Sequence, residues 1–181
     1  PDVQLLADGT FRLYLTADPN DGEGPQTYCA TGTDGFAFAK SGVAFASPGN
    51  QVLDPTTYYA AGTWHLFAGG KSDGGEWHAT SVDGLSFDDA GEAAFEIGGA
   101  GCAAANVVPV DGGWRLYAFV RSAPSSIVSF FSADGWKWSE EAGTRLALDT
   151  TSSLEADGVK DPAVLRLADG SWLMVYVTRI P

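Results

Sequence analysis

The segment "KDPAVLRLADGSWLMVYV", Lys160 to Val177, decides the fold. It reads as a short apolar strand, a Gly turn, and a second strand led by an aromatic residue. Three other segments repeat that shape. "LLADGTFRLYLT", "YYAAGTWHLFAG" and "VPVDGGWRLYAF" align with "RLADGSWLMVYV" on Gly9, Gly62, Gly112 and Gly170, at spacings of 53, 50 and 58 residues. The leading aromatics are Phe11, Trp64, Trp114 and Trp172. Gly between two alternating apolar runs is a hairpin signal, because it accepts the positive φ of a tight turn.

A second family of turns interleaves with the first. "GTDGFAF", "TSVDGLSF" and "FSADGWKW" place Gly35, Gly84 and Gly135 at spacings of 49 and 51 residues. The combined unit is strand, Gly turn, strand, loop, strand, Asp-Gly turn, strand. Four short antiparallel strands in roughly 40–50 residues make the blade of a β-propeller. We therefore expect an all-β chain, a propeller of four-stranded antiparallel blades forming one domain over residues 1–181. Blades fall at approximately 1–48, 49–98 and 99–150, with a half blade at 151–181, about three and a half in all. The once-per-unit tryptophans are expected between blades. Turn aspartates such as Asp34, Asp83 and Asp134 are expected to be structural, at the outer rim. His65 fills a repeat slot shared with Arg12 and Arg115, and His78 falls in a third strand; neither reads as a ligand.

A half blade would leave a strand edge open, which soluble proteins avoid. A longer propeller of which this is a segment is the favoured explanation, ahead of a second chain completing the last blade or an open ring.

Composition narrows the partners. Ten Lys and Arg face 23 Asp and Glu, a formal charge of -13. Without clustered cations there is no phosphate-binding surface, which sets aside nucleic acid and anionic membranes. No apolar run approaches the roughly 18 residues of a membrane helix. Cys29 and Cys102 read as two small buried thiols, not a disulfide or a metal site. They leave the compartment open, with an extracellular or periplasmic setting favoured.

The strings "DPAVLRLADGSWLMVY" and "PDVQLLADGTFRLYLT" resemble the blade openings of five-bladed propeller glycosidases, the family-43 and family-32 glycoside hydrolase superfamily. The Asp-Gly turns also resemble the Asp-boxes of sialidase-type propellers. That resemblance implies three carboxylates from different blades: a base or nucleophile, an acid, and an Asp that tunes the acid. One carboxyl must stay protonated to donate to the leaving oxygen while another is ionised. Carried over, Asp161 of "KDP" and Asp54 of "LDP" are axial carboxylates, and Asp2 is a same-face neighbour of the first blade's position. In the third blade Ala103-Ala104 replaces Asp-Pro.

Two further candidates rest on residues alone: Glu155 as the acid and Arg121 as a partner of a carboxylate or a sugar hydroxyl. Asp before Pro also has a structural explanation, since Pro biases its predecessor towards extended backbone and Asp can bond nearby N–H groups. The acidic run "DPNDGEG" lacks a calcium-loop pattern and reads as a solvated loop. No cofactor or metal is expected, although relatives can carry calcium on the propeller axis. The functional expectation is hydrolysis of glycosidic bonds in a carbohydrate; the alternative is a non-catalytic carbohydrate-binding or scaffolding propeller.

Overall fold

The computed structural model describes residues 1–92, 101–155 and 158–178. The chain divides into two compact units, residues 1–93 and 94–181. Every regular element among the described residues is a β-strand.

The first unit holds two four-stranded antiparallel sheets. One runs in the order β1 (Asp2–Leu5), β2 (Phe11–Ala17), β3 (Gln26–Gly32), β4 (Ala39–Phe45). The other runs β5 (Leu53–Ala60), β6 (Thr63–Gly69), β7 (Trp77–Ser81), β8 (Asp88–Glu92). Each is a simple up-and-down meander, as short turns between successive strands require. The β5–β6 turn has φ of 48° at Ala61 and 85° at Gly62, the paired positive values of a two-residue hairpin whose twist matches its strands.

The two sheets pack through Tyr14, Cys29, Phe45, Val52, Leu66, Trp77 and Phe87, all buried, with Trp64 half-buried against them. Phe45 meets Trp77, and Tyr14 meets Phe87, edge to face with ring centroids 5.9 Å apart. Each such side chain contributes about 1.5–3 kcal/mol of burial. The Asp83-Gly84 turn is fastened to the first sheet. Arg12 Nη1 donates to the Asp83 carbonyl (2.6 Å) and the Tyr14 hydroxyl to the Gly84 carbonyl (2.7 Å). A Cβ on Gly84 would lie 2.3 Å from Arg12 Nη1 and 2.9 Å from the Trp64 ring, at a φ of +72°.

In the second unit β9 (Cys102–Val110), β10 (Gly113–Val120) and β11 (Ser126–Ser132) are consecutive neighbours. The fourth position is shared by two short strands, β12 (Ser139–Glu140) and β13 (Leu146–Ala147), both paired with β11. A two-stranded sheet, β14 (Val159–Arg166) with β15 (Trp172–Thr178), follows. Val108, Tyr117, Ile127, Val159 and Val164 form its buried core, with Met174 and Tyr176 packed against them. Trp172 is 42% exposed, with the Arg166 guanidinium over its ring.

The two turn families recur in atomic detail. Asp34, Asp83 and Asp134 each accept backbone N–H groups two and three residues ahead. Those bonds hold all three carboxyls below the ordinary value. Asp8 and Asp169 likewise bond the N–H and hydroxyl of Thr10 and Ser171.

Candidate functional site: the bulged starts of the inner strands

The first strands of two sheets start with the same irregularity. In β5 the pairing with β6 slips between Leu53 and Thr56, and in β14 the pairing with β15 slips between Lys160 and Ala163. Asp54-Pro55 and Asp161-Pro162 occupy the slips. Both aspartates have left-handed backbone, φ 51° and 48°, rather than the extended form expected before Pro. For a residue with a Cβ this costs free energy, and Asp is among the few types that tolerate it. A bulge re-aims a side chain out of the strand's alternation. Asp54 is exposed and Asp161 half-buried.

Strand register corrects the third-blade alignment by one residue. Thr56 pairs with Phe67 and Asn106 with Tyr117, each three residues past the leading Trp of its strand. The counterparts of Asp54-Pro55 are therefore Ala104-Ala105. The slip persists there without a carboxylate.

Register also exposes a contact that sequence reading missed. Asp2 pairs with Tyr14, which makes it the counterpart of Thr56, Asn106 and Ala163. Asp2 Oδ2 accepts from the Thr57 backbone N–H (2.8 Å), the Thr57 hydroxyl (2.5 Å) and the Gln4 amide (3.0 Å). Asn106 Oδ1 accepts from the Val164 backbone N–H at 2.9 Å. Thr57 and Val164 each stand three residues past the left-handed Asp. One polar side chain in the preceding sheet thus pins each inner strand just beyond its bulge. Burial pushes the Asp2 carboxyl above its ordinary value, against the bonds from Thr57 and Gln4 that pull it down. A second tether reaches the first bulge itself, where the Asp54 N–H donates to Thr16 Oγ1 (2.8 Å).

In the second unit, Lys160 Nζ lies 3.3 Å from Asp161 Oδ2. Lys160 also lines a cavity of about 250 Å³ with Phe119, Val120, Arg121, Ser125, Gly158 and Thr178. Arg121 and Lys160 are thereby brought to one cavity, with Asp161 tied to its wall through Lys160. Glu155 is buried. It accepts from the Asp149 backbone N–H (2.8 Å) and the Tyr176 hydroxyl (2.5 Å), and the Tyr176 phenol is pushed up by that neighbour. Neither Glu155 nor Asp161 is among the cavity-lining residues.

The histidines form a buried stack in the first unit. His65 Nδ1 and His78 Nε2 are 3.0 Å apart, and the His65 ring lies parallel to Tyr58 at 4.7 Å. Burial pulls both imidazoles down to about 4. The two sit diagonally on paired strands (His65 faces Thr80, and His78 faces Phe67), so only register reveals their meeting. Among the described residues no group of three or more His, Cys, Asp or Glu is arranged to hold a metal ion, so no described side-chain cluster fits an axial calcium. Cys29 and Cys102 are free and buried.

No family model and no curated protein matches the chain. Solved structures do match. An endo-arabinase from Bacteroides thetaiotaomicron is 18% identical with a TM-score of 0.70, over 97% of this chain and 68% of that one. A family-117 glycoside hydrolase from Zobellia galactanivorans is 14% identical with a TM-score of 0.67, over 97% and 65%. A family-32 β-fructofuranosidase from Bombyx mori is 12% identical with a TM-score of 0.72, over 97% and 41%. The fold is that of the β-propeller glycosidases. The chain spans between 41% and 68% of the length of these structures.

Proposed function

We propose that this chain is a set of blades from one carbohydrate-active propeller domain, and that Asp161 and Asp54 are carboxylates acting on a glycosidic bond. The observation that carries this reading is the recurrence of Asp-Pro in a left-handed bulge at the start of an inner strand. Strained backbone costs stability and persists where the surroundings over-determine it, often at functional sites. The likeness to an endo-arabinase and a β-fructofuranosidase supports the carbohydrate half of the proposal.

In such chemistry one carboxylate attacks the anomeric carbon or activates water, while a protonated partner donates to the leaving oxygen. Asp161 and Asp54 are offered for the ionised roles, and Glu155 for the acid. The Tyr176 hydroxyl donates to Glu155 and would have to yield for Glu155 to protonate a leaving group. Arg121 and Asp2 are the substrate-binding candidates, Arg121 through the cavity and Asp2 through the pinned strand beside Asp54.

A non-catalytic carbohydrate-binding propeller is the second reading, favoured by Ala104-Ala105 and by the engagement of Glu155 with Tyr176 and Asp149. Release of reducing sugar from arabinan, xylan and fructan separates the two. Release that Asp54→Asn abolishes supports hydrolysis; retention of the chain by a polysaccharide without release supports binding alone. Neither release nor retention would overturn both.

A further inference from the structure

The Asp161 carboxylate meets Lys160 Nζ at 3.3 Å, with the two side chains 42% and 56% exposed, and an exposed pair of that kind is weak. Its direction is therefore set by the backbone, whose left-handed φ of 48° is a costly state for a residue with a Cβ. Such a state persists where the surroundings hold it.

The bulge is held at both ends by side chains of the preceding sheet. Two residues before Asp161, the Val159 N–H donates to Ser125 Oγ at 2.7 Å. Three residues after it, the Val164 N–H donates to Asn106 Oδ1 at 2.9 Å. Ser125 stands directly before β11 and Asn106 lies on β9, two strands of one sheet. Among the described residues β14 pairs only with β15, so N–H groups on its other edge depend on acceptors of this kind. The approach is close: a Cβ on Gly158 would lie 3.2 Å from Ser125 Oγ. β5 is held in the same way, by Thr16 Oγ1 at Asp54 itself and by Asp2 three residues on.

The residues that follow each pin separate a positioning role from a general stacking of sheets. Asp2, Thr56 and Asn106 occupy equivalent register positions on β1, β5 and β9. Asp2 and Asn106 precede the strands that carry Asp54-Pro55 and Asp161-Pro162. Thr56, with a shorter side chain and no carbonyl oxygen, precedes the strand that carries Ala104-Ala105. A carboxylate or amide acceptor thus accompanies each left-handed aspartate and is replaced where alanine stands. We infer that Asn106 and Ser125 are positioning residues for Asp161, holding the bulge that aims its carboxylate. Their effect on turnover rests on the reading of Asp161 as a glycoside carboxylate.

Kinetics and NMR of the 181-residue chain together test this. The substrate is whichever of an aryl α-L-arabinofuranoside, β-D-xyloside or β-D-galactoside, or sucrose, the parent hydrolyses. Asn106→Ala and Ser125→Ala should each lower kcat by about tenfold or more and leave KM within about twofold. Asn106→Asp should stay within about threefold of the parent, since the Asp2 carboxylate already accepts the equivalent N–H. Ser132→Ala removes a bond of like kind, from the Gly135 N–H at 2.8 Å, at the rim turn of the same sheet. It should lower the urea midpoint as the others do and leave kcat alone. In both pin variants the Asp161 Cα chemical shift should move upfield, towards the extended backbone favoured before proline. Two independent alanine variants keep the test if one fails to fold. An unmoved Asp161 shift in them overturns the positioning role whatever the activity. An active parent whose kcat survives both substitutions also overturns it, as does an Asn106→Asp chain as impaired as Asn106→Ala. A shift that moves in a chain whose parent hydrolyses nothing supports the positioning and overturns the glycosidase reading instead.

Discussion

Removing the Asp2 carboxylate should loosen the strand that follows the Asp54 bulge, and the size of the effect can be worked from its contacts. In Asp2→Ala, the Thr57 backbone N–H loses its acceptor in a buried setting. A stranded buried N–H costs about 1–3 kcal/mol, and losing the bonds from the Thr57 hydroxyl and Gln4 adds about 1 kcal/mol. Relief of the buried carboxylate returns part of this, so a net loss of about 1–3 kcal/mol is expected. Asp2→Asn should behave differently, because Asn106 already does the equivalent work with an amide oxygen. It should stay within about 1 kcal/mol of the parent.

The pH dependence has a definite sign. Burial raises the folded carboxyl above 3.8, so the folded chain holds the proton more tightly than the unfolded one. The contribution of Asp2 to stability therefore declines as pH rises from about 3.8 through the folded value, then levels. Asp2→Asn removes that decline. Equilibrium urea unfolding across this range reads both effects. An Asp2→Ala variant within about 0.5 kcal/mol of the parent, or an Asn variant as damaged as the Ala one, would refute the pinning role.

Three further outcomes follow from the geometry. Glu141 accepts Arg115 Nε at 2.7 Å and Nη2 at 2.9 Å, and the arginine holds its carboxyl below 4.5. Its contribution is present above pH 4.5 and lost as pH falls through the lower folded value, so Glu141→Gln should cost about 1–2 kcal/mol at neutral pH and flatten the acid limb of a urea-midpoint profile. His65 and His78 should stay neutral well below pH 6.5, with stability falling as pH drops from 6.5 towards about 4; an imidazole NMR titration centred near 6.5 for either would contradict the buried stack. Gly84→Ala should cost at least about 2 kcal/mol in thermal or urea unfolding, from a left-handed alanine and a clash with the Trp64 ring, whereas Gly9→Ala, with open space around it, should cost less.

The sheets were legible because the turns are chemical. Asp-Gly and Gly turns must recur wherever a tight reversal is needed, so four-stranded units could be counted without coordinates. The bulges were less legible. Proline biases its predecessor towards extended backbone, but in β5 and β14 the slip in pairing overrides that bias and turns Asp54 and Asp161 left-handed. Counting back from Gly112 placed the third-blade gap at Ala103-Ala104; turn lengths differ between units, and only pairing shows that Ala104-Ala105 is the counterpart. Asn106 carried a faint signal, a polar residue within an apolar inner strand. Its partner, the Val164 N–H, lies 58 residues away and no local pattern points to it. The His65–His78 meeting was hidden for the same reason, being diagonal across a register that spacing does not determine.

The central claim is that Asp161 serves glycoside chemistry, not merely the start of a strand. Hydrolysis of aryl α-L-arabinofuranosides, β-D-xylosides and β-D-galactosides, and of sucrose, by the parent chain and by Asp161→Asn tests it most directly. Asn tolerates left-handed backbone as Asp does, so the variant should melt with the parent. The account predicts turnover of at least one substrate by the parent and a loss of at least about 100-fold in kcat/KM in the variant. Undiminished hydrolysis by Asp161→Asn, or no hydrolysis of any substrate by the parent, would contradict it.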